Sequence, residues 1–74
     1  MSEYDVYTSV ATAAVYWELP HDRIRNGIVI HSVPRDSATA NALINTARVR
    51  IHKQGYKMNT RWLDEWTLRI NWSK

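Results

Sequence analysis

The change of hydrophobic period at Gly55 constrains this chain more than any other feature. Before it, Ala40, Leu43, Ile44, Ala47 and Ile51 recur at the spacing of one buried helix face. After it, Tyr56, Met58, Thr60 and Trp62, and then Trp66, Leu68, Ile70 and Trp72, share one parity, the period of a strand. One straight strand over this stretch would reach about 50 Å at roughly 3.3 Å per residue. That is too long for one small domain, so the segment must fold back. A three-residue loop, Leu63-Asp64-Glu65, sets Trp62 against Trp66, Thr60 against Leu68, Met58 against Ile70 and Tyr56 against Trp72. All the apolar groups then share a face. A two-residue loop would set Leu63, Arg61 and Asn59 against Trp66, Leu68 and Ile70, which mixes the faces. The three-residue loop lacks the Gly that its left-handed position prefers.

Upstream, the helix is expected over residues 37–54. Asp36 or Ser37 can cap it, Arg48, Arg50, His52 and Lys53 complement the dipole at its end, and Gly55 can close it in the left-handed conformation. Residues 28–33 (IVIHSV) follow the Asn26-Gly27 turn signal and read as a strand apolar on both faces. Residues 1–17 match both templates. Val6, Val10, Ala13, Ala14 and Trp17 fit a helix, whereas Tyr4, Val6, Thr8, Val10, Thr12, Ala14 and Tyr16 alternate as in a strand. The expectation is extended structure early and a short helix over 9–17, ended by Pro20. A helix-turn-helix over 9–27 fails on length, because its second helix would have only residues 22–26 before Gly27. The fold expected is therefore one α+β domain, residues 1–74. It has a three-stranded antiparallel sheet (28–33, 56–62, 66–72) with helix 37–54 across one face, in βαββ order.

Composition narrows the function classes. The chain has no Cys, so neither a disulfide nor a thiolate metal site helps its small core. Four Trp and four Tyr are the substitute. There is no basic-then-apolar leader and no run near the ~20 apolar residues of a membrane span, so a cytoplasmic protein with no membrane contact is expected. His21, His31 and His52 do not cluster at ligand spacing, so no metal is expected. Asp64 and Glu65 are adjacent at a hairpin tip and lack the separation of an acid/base pair. No nucleophile elbow, phosphate loop or zinc motif occurs, so neither catalytic residues nor a cofactor is expected.

Charge is distributed unevenly. Residues 1–22 carry Glu3, Asp5, Glu18 and Asp22 and no Lys or Arg, while residues 23–74 hold all 10 Lys and Arg against Asp36, Asp64 and Glu65. Either a basic surface meets a polyanion or acidic protein, or the acidic segment packs beside the basic one and neutralises it. The hairpin register puts Lys57, Asn59, Arg61, Thr67, Arg69 and Asn71 on its second face, with no acid among them. Those residue types pair with phosphates and base edges, and a two-stranded ribbon fits the major groove. They also simply solvate the open side of an antiparallel sheet. The tryptophans, aligned with Leu68, Ile70 and Met58, are expected in the core rather than as stacking platforms; Trp17, outside that register, is freer to be exposed.

The run Trp17-Glu18-Leu19-Pro20, the stretch from Gly27 to Pro34, the Ala/Arg helix, Gly55-Tyr56-Lys57-Met58-Asn59-Thr60-Arg61 and Leu68-Arg69-Ile70 together resemble small α/β accessory proteins of tailed bacteriophages and mobile elements. The likeness covers about residues 16–72, though the acidic/Gly hairpin turn common in such proteins is missing. It implies a βαββ order, a phage origin, and either DNA binding or interference with a host protein. The leading expectation is a non-enzymatic nucleic-acid-binding protein, with double-stranded DNA as partner. Lys57, Asn59, Arg61, Arg69 and Asn71 would make contacts, helped at phosphates by Arg48, Arg50 and Lys53. The runner-up is a protein that binds and modulates a host protein; a third is a homodimer joined through a sheet edge.

Overall fold

The computed structural model describes residues 3–74, with side chains from residue 5 onward. The elements are α1 (Glu3–Tyr16), β1 (His21–Ile24), β2 (Gly27–Ile30), α2 (Ala38–Lys53), β3 (Lys57–Asp64) and β4 (Thr67–Ser73). The class is α+β as expected. The sheet, however, has four strands in the order β1-β2-β4-β3, all antiparallel, and two helices cover it rather than one.

The N-terminal expectation is corrected by α1, which is helical from Glu3 instead of extended early. Its two competing templates differ in what they bury. Val6, Val10, Ala13 and Ala14 of the helical set are buried and Trp17, just past the helix, is half-buried, while Thr12 and Tyr16 of the alternating set are exposed. Met1 and Ser2, the start of the stretch expected to be extended, lie outside the described residues. The helix closes on Glu18, left-handed at φ 56°. Leu19 N–H donates to Ala14 O and Glu18 N–H to Val15 O, each at 2.9 Å, the Schellman pairing that satisfies the last carbonyls. Pro20 then releases the chain into β1.

β1 was not expected as a strand. His-Asp-Arg-Ile has neither alternation nor a buried residue, so only its partner defines it. It pairs with β2 from His21↔Ile30 to Ile24↔Gly27 across the two-residue turn Arg25-Asn26, with Asn26 left-handed at φ 54°. β2 stops at Ile30 rather than residue 33, because Ser32 takes φ 62°. Beyond it the chain still follows β4's end, Val33 N–H donating to Trp66 O and Arg35 N–H to Glu65 O, both at 3.0 Å.

α2 keeps its expected limits to within a residue. Ser37 Oγ accepts from Ala40 N–H at 3.1 Å, and Gly55, at φ 83°, closes the far end with Tyr56 N–H donating to Ile51 O. Its buried stripe is Ala40, Leu43, Ala47 and Ile51. α1 packs against α2, β1 and β2, while α2 also packs against β3. The core between the layers is built from those stripes with Ile28, Ile30, Val33, Leu68, Ile70 and Trp72.

The hairpin register is corrected by two residues. Trp62 faces Leu68, Thr60 faces Ile70 and Met58 faces Trp72. The loop is Glu65-Trp66, with a bulge between Trp62 and Asp64, and Asp64 Oδ1 accepts from Trp66 N–H at 2.8 Å to close the turn. A shift of two keeps every side chain on its face, so the division of the faces stands while the neighbours change. Trp72 is buried (3 % exposed) and Trp62 half-buried against the core, but Trp66 moves into the turn and is 60 % exposed. Trp17 is half-buried, edge-on to Tyr16 with ring centroids 5.0 Å apart. Trp72→Ala is expected to cost about 3–5 kcal/mol in a denaturant melt. Trp66→Ala should stay within about 0.5 kcal/mol of the parent. Equal losses at the two positions would restore the three-residue loop.

Candidate nucleic-acid interface

Both helices lie on the side of the sheet that carries Ile28, Ile30, Leu68 and Ile70. Neighbours in register share a face, so the opposite side can be read row by row from the pairing. One row runs Arg61, Arg69, Val29, Asp22; the next runs Asn59, Asn71, Gly27, Ile24; Lys57 and Ser73 begin a third, and Asp64 stands beside Thr67 at the turn end. No described element covers this side.

The hairpin half of that face is basic, and its centre is the pair Arg61 and Arg69. They stand directly opposite each other, an arrangement that costs stability when nothing bridges like charges. Arg69 is held in place: its Nε donates to Asn71 Oδ1 at 2.7 Å, and Asn71 Nδ2 donates to Asn26 O at 3.3 Å. Gly27 makes room for that amide, since a Cβ there would stand 2.5 Å from both Asn71 Nδ2 and Ile70 O. So Gly27 admits Asn71, and Asn71 aims Arg69. Lys57, Asn59 and Arg61 are exposed, and among the described residues their side chains make no hydrogen bond or ion pair. The other half of the face is electrically quieter, because Asp22 Oδ2 and His31 Nε2 pair at 2.8 Å.

Arg48, Arg50 and Lys53 sit on α2, across the sheet from the hairpin face, so the eight expected contact residues do not form one surface. Arg50 Nη1 is already used, donating to Ser9 O of α1 at 2.7 Å. Arg48 Nη1 donates to Asn45 Oδ1 at 2.9 Å along its own helix. Lys53 lines a small cleft with Asp5, Thr8, Ser9 and Gln54, where the acidic start of α1 meets the basic end of α2. The acidic start of α1 thus packs beside the basic end of α2, one of the two arrangements the charge asymmetry allows, while the cations of the sheet face lie on the other side.

Arg35, not among the expected residues, lies at the hairpin tip, 3.8 Å from Glu65. Its position after Pro34 gave no signal until the 31–35 segment was seen to run along β4. Among the described residues no group of three or more His, Cys, Asp or Glu could hold a metal, and no helix is long and apolar enough to cross a membrane. No family model and no curated protein matches the chain.

Two outcomes test this construction. Gly27→Ala should lose about 1–3 kcal/mol, because the added methyl must push aside backbone and the Asn71 amide in a packed sheet; a denaturant melt unchanged from the parent would mean that Asn71 is not held over β2. Asp64 is held below the ordinary carboxylate pKa chiefly by the Trp66 N–H, with help from Thr67. The folded hairpin therefore gains stability from ionised Asp64 above the unfolded pKa and loses it as pH falls through the folded one. A carboxyl NMR titration should place the Asp64 midpoint below that of an unstructured Asp, and a midpoint at or above it would contradict the closed turn.

Proposed function

We propose that this chain is a non-enzymatic nucleic-acid-binding protein that holds the phosphate backbone of duplex DNA on the open face of β3 and β4. The observation that carries the reading is Arg61 directly opposite Arg69 on an uncovered face. Two guanidinium groups so placed repel each other in the free protein, and an anion bridging them turns that cost into binding. Lys57, Asn59 and Asn71 flank the pair on the same face.

The mode differs from a free ribbon in the major groove. β4 is paired on both sides, by β2 and β3. Four strands at about 4.8 Å spacing make a slab wider than a groove of roughly 12 Å. Trp62 and Trp72 face the helices, so the open side of the hairpin offers no stacking platform for single strands. Away from Asp64 at its turn end, what it presents is cations and amides, the groups that contact phosphates and position a protein without reading bases.

Three cations, Lys57, Arg61 and Arg69, give an expected slope of log affinity against log salt of about −3, from roughly −0.9 per phosphate on duplex DNA. Arg61→Gln should weaken binding, lower that slope by about one, and raise folding stability by about 0.2–1 kcal/mol through relief of the repulsion. Opposite signs for affinity and stability mark a functional pair. Duplex binding absent at low salt, or unchanged in Arg61→Gln/Arg69→Gln, would overturn the reading.

One observation favours the second reading, a phage-type protein that binds and modulates a host protein. Leu63 and Trp66 are 48 % and 60 % exposed at the acid-flanked hairpin tip, and an exposed Trp is the usual anchor of a protein contact. Retained host-protein capture that is lost in Trp66→Ala, with no DNA affinity, would move the assignment there.

A further inference from the structure

The free edge of β3 is built to pair with itself. Trp72 N–H donates to Asn26 O at 2.9 Å, so Trp72 turns its backbone groups toward β2. Backbone groups alternate sides along a strand. Ile70 and Leu68 therefore also point to β2, while Arg69, Asn71 and Ser73 point to β3. In the observed register those three meet Arg61, Asn59 and Lys57. Between and beside those three, Met58, Thr60 and Trp62 turn their N–H and C=O groups outward from the sheet, while Leu63 lies in the bulge and Asp64 pairs with Thr67. These groups are symmetric about Thr60.

We infer that a second copy of this chain pairs antiparallel along this edge, Thr60 to Thr60, with Met58 opposite Trp62 of the second copy. In this register every outward N–H and C=O of the three residues finds a partner. The half-buried Met58 and Trp62 side chains meet on the helix side, where thioether and indole pack favourably. On the open side Arg61 faces Asn59 of the second copy, so no like charges oppose. The bulge at Leu63 ends the pairing and leaves Asp64 on the open face, the face of Lys57. Each Lys57 ammonium thus approaches the Asp64 carboxylate of the second copy, at both ends of the joined strands. Asp64 already accepts from Trp66 N–H and is hydrogen-bonded by Thr67, and an ionised carboxylate with about four acceptor positions keeps room for an ammonium. The competing edge, β1, has only four residues, too short to serve as such a template. β3 is eight residues long, has no Pro, and as the last strand of the sheet leaves its outer N–H and C=O groups unpaired, the condition in which a sheet edge recruits a strand.

The pairing stands whether or not the open face binds DNA, and its test uses no nucleic acid. Sedimentation equilibrium of the full chain, up to submillimolar concentration, should give a mass approaching twice 8.7 kDa. Thr60→Pro removes one outward N–H and leaves the β3–β4 ladder intact, as Pro on an edge strand allows. Lys57→Glu sets a carboxylate against Asp64 of the second copy. Both variants should sediment as monomers with the parent circular dichroism; if Thr60→Pro fails to fold, Lys57→Glu decides alone. A parent that stays at 8.7 kDa throughout, or a dimer whose mass neither variant reduces, overturns the inference.

Discussion

The pairing of β2 with β4 is the contact on which everything else rests. It places Ile28 beside Ile70 and Ile30 beside Leu68, and all four are fully buried beneath the helices. It also joins two halves of like order, α1-β1-β2 and α2-β3-β4, through the second strand of each. Even the helix stripes correspond: Val6, Val10 and Ala14 have the spacing of Leu43, Ala47 and Ile51. Alone, each half would be a helix and a hairpin of fewer than about 40 residues, below the size at which a chain without disulfide or metal usually holds a core. Joined, they share one core and leave one sheet face bare.

That division of faces decides where charge can act. The helix layer spends its cations internally: Arg50 ties α2 to α1 through Ser9 O, and Lys53 lies in the same cleft as Asp5. Among the described residues no acid bridges Arg61 and Arg69, and positioning there runs from Gly27 through Asn71 to Arg69. A glycine on one strand thereby sets the aim of an arginine on the next. The basic surface is narrow, two strands wide, and the pairing inferred at β3 would set two such surfaces side by side across one continuous sheet.

Much of this was legible in the residues, and what was not has physical causes. α2 was readable because stripe, cap and Gly55 agree. The hairpin's two faces were readable because parity survives a two-residue slip; its register was not, because the turn is closed by the Asp64 carboxylate rather than by a left-handed Gly. β1 could not be read at all, since His21–Ile24 has no fully buried residue and takes its conformation from β2. α1 was half legible, its Val and Thr residues suiting either period until burial chose between them. At the site, Lys57, Asn59, Arg61, Arg69 and Asn71 share one face as expected from alternation. Arg48, Arg50 and Lys53 were grouped with them on charge alone, and charge does not reveal on which side of a sheet a helix packs.

The most direct test of the central claim is a map of backbone amide shifts as a short DNA duplex is added to the labelled protein at low salt. The expected perturbations fall on Lys57, Asn59, Arg61, Arg69 and Asn71, with Arg48 and Lys53 on the far side unmoved. Shifts concentrated on α2, or none anywhere while the fold stays intact, would contradict a phosphate-binding sheet face.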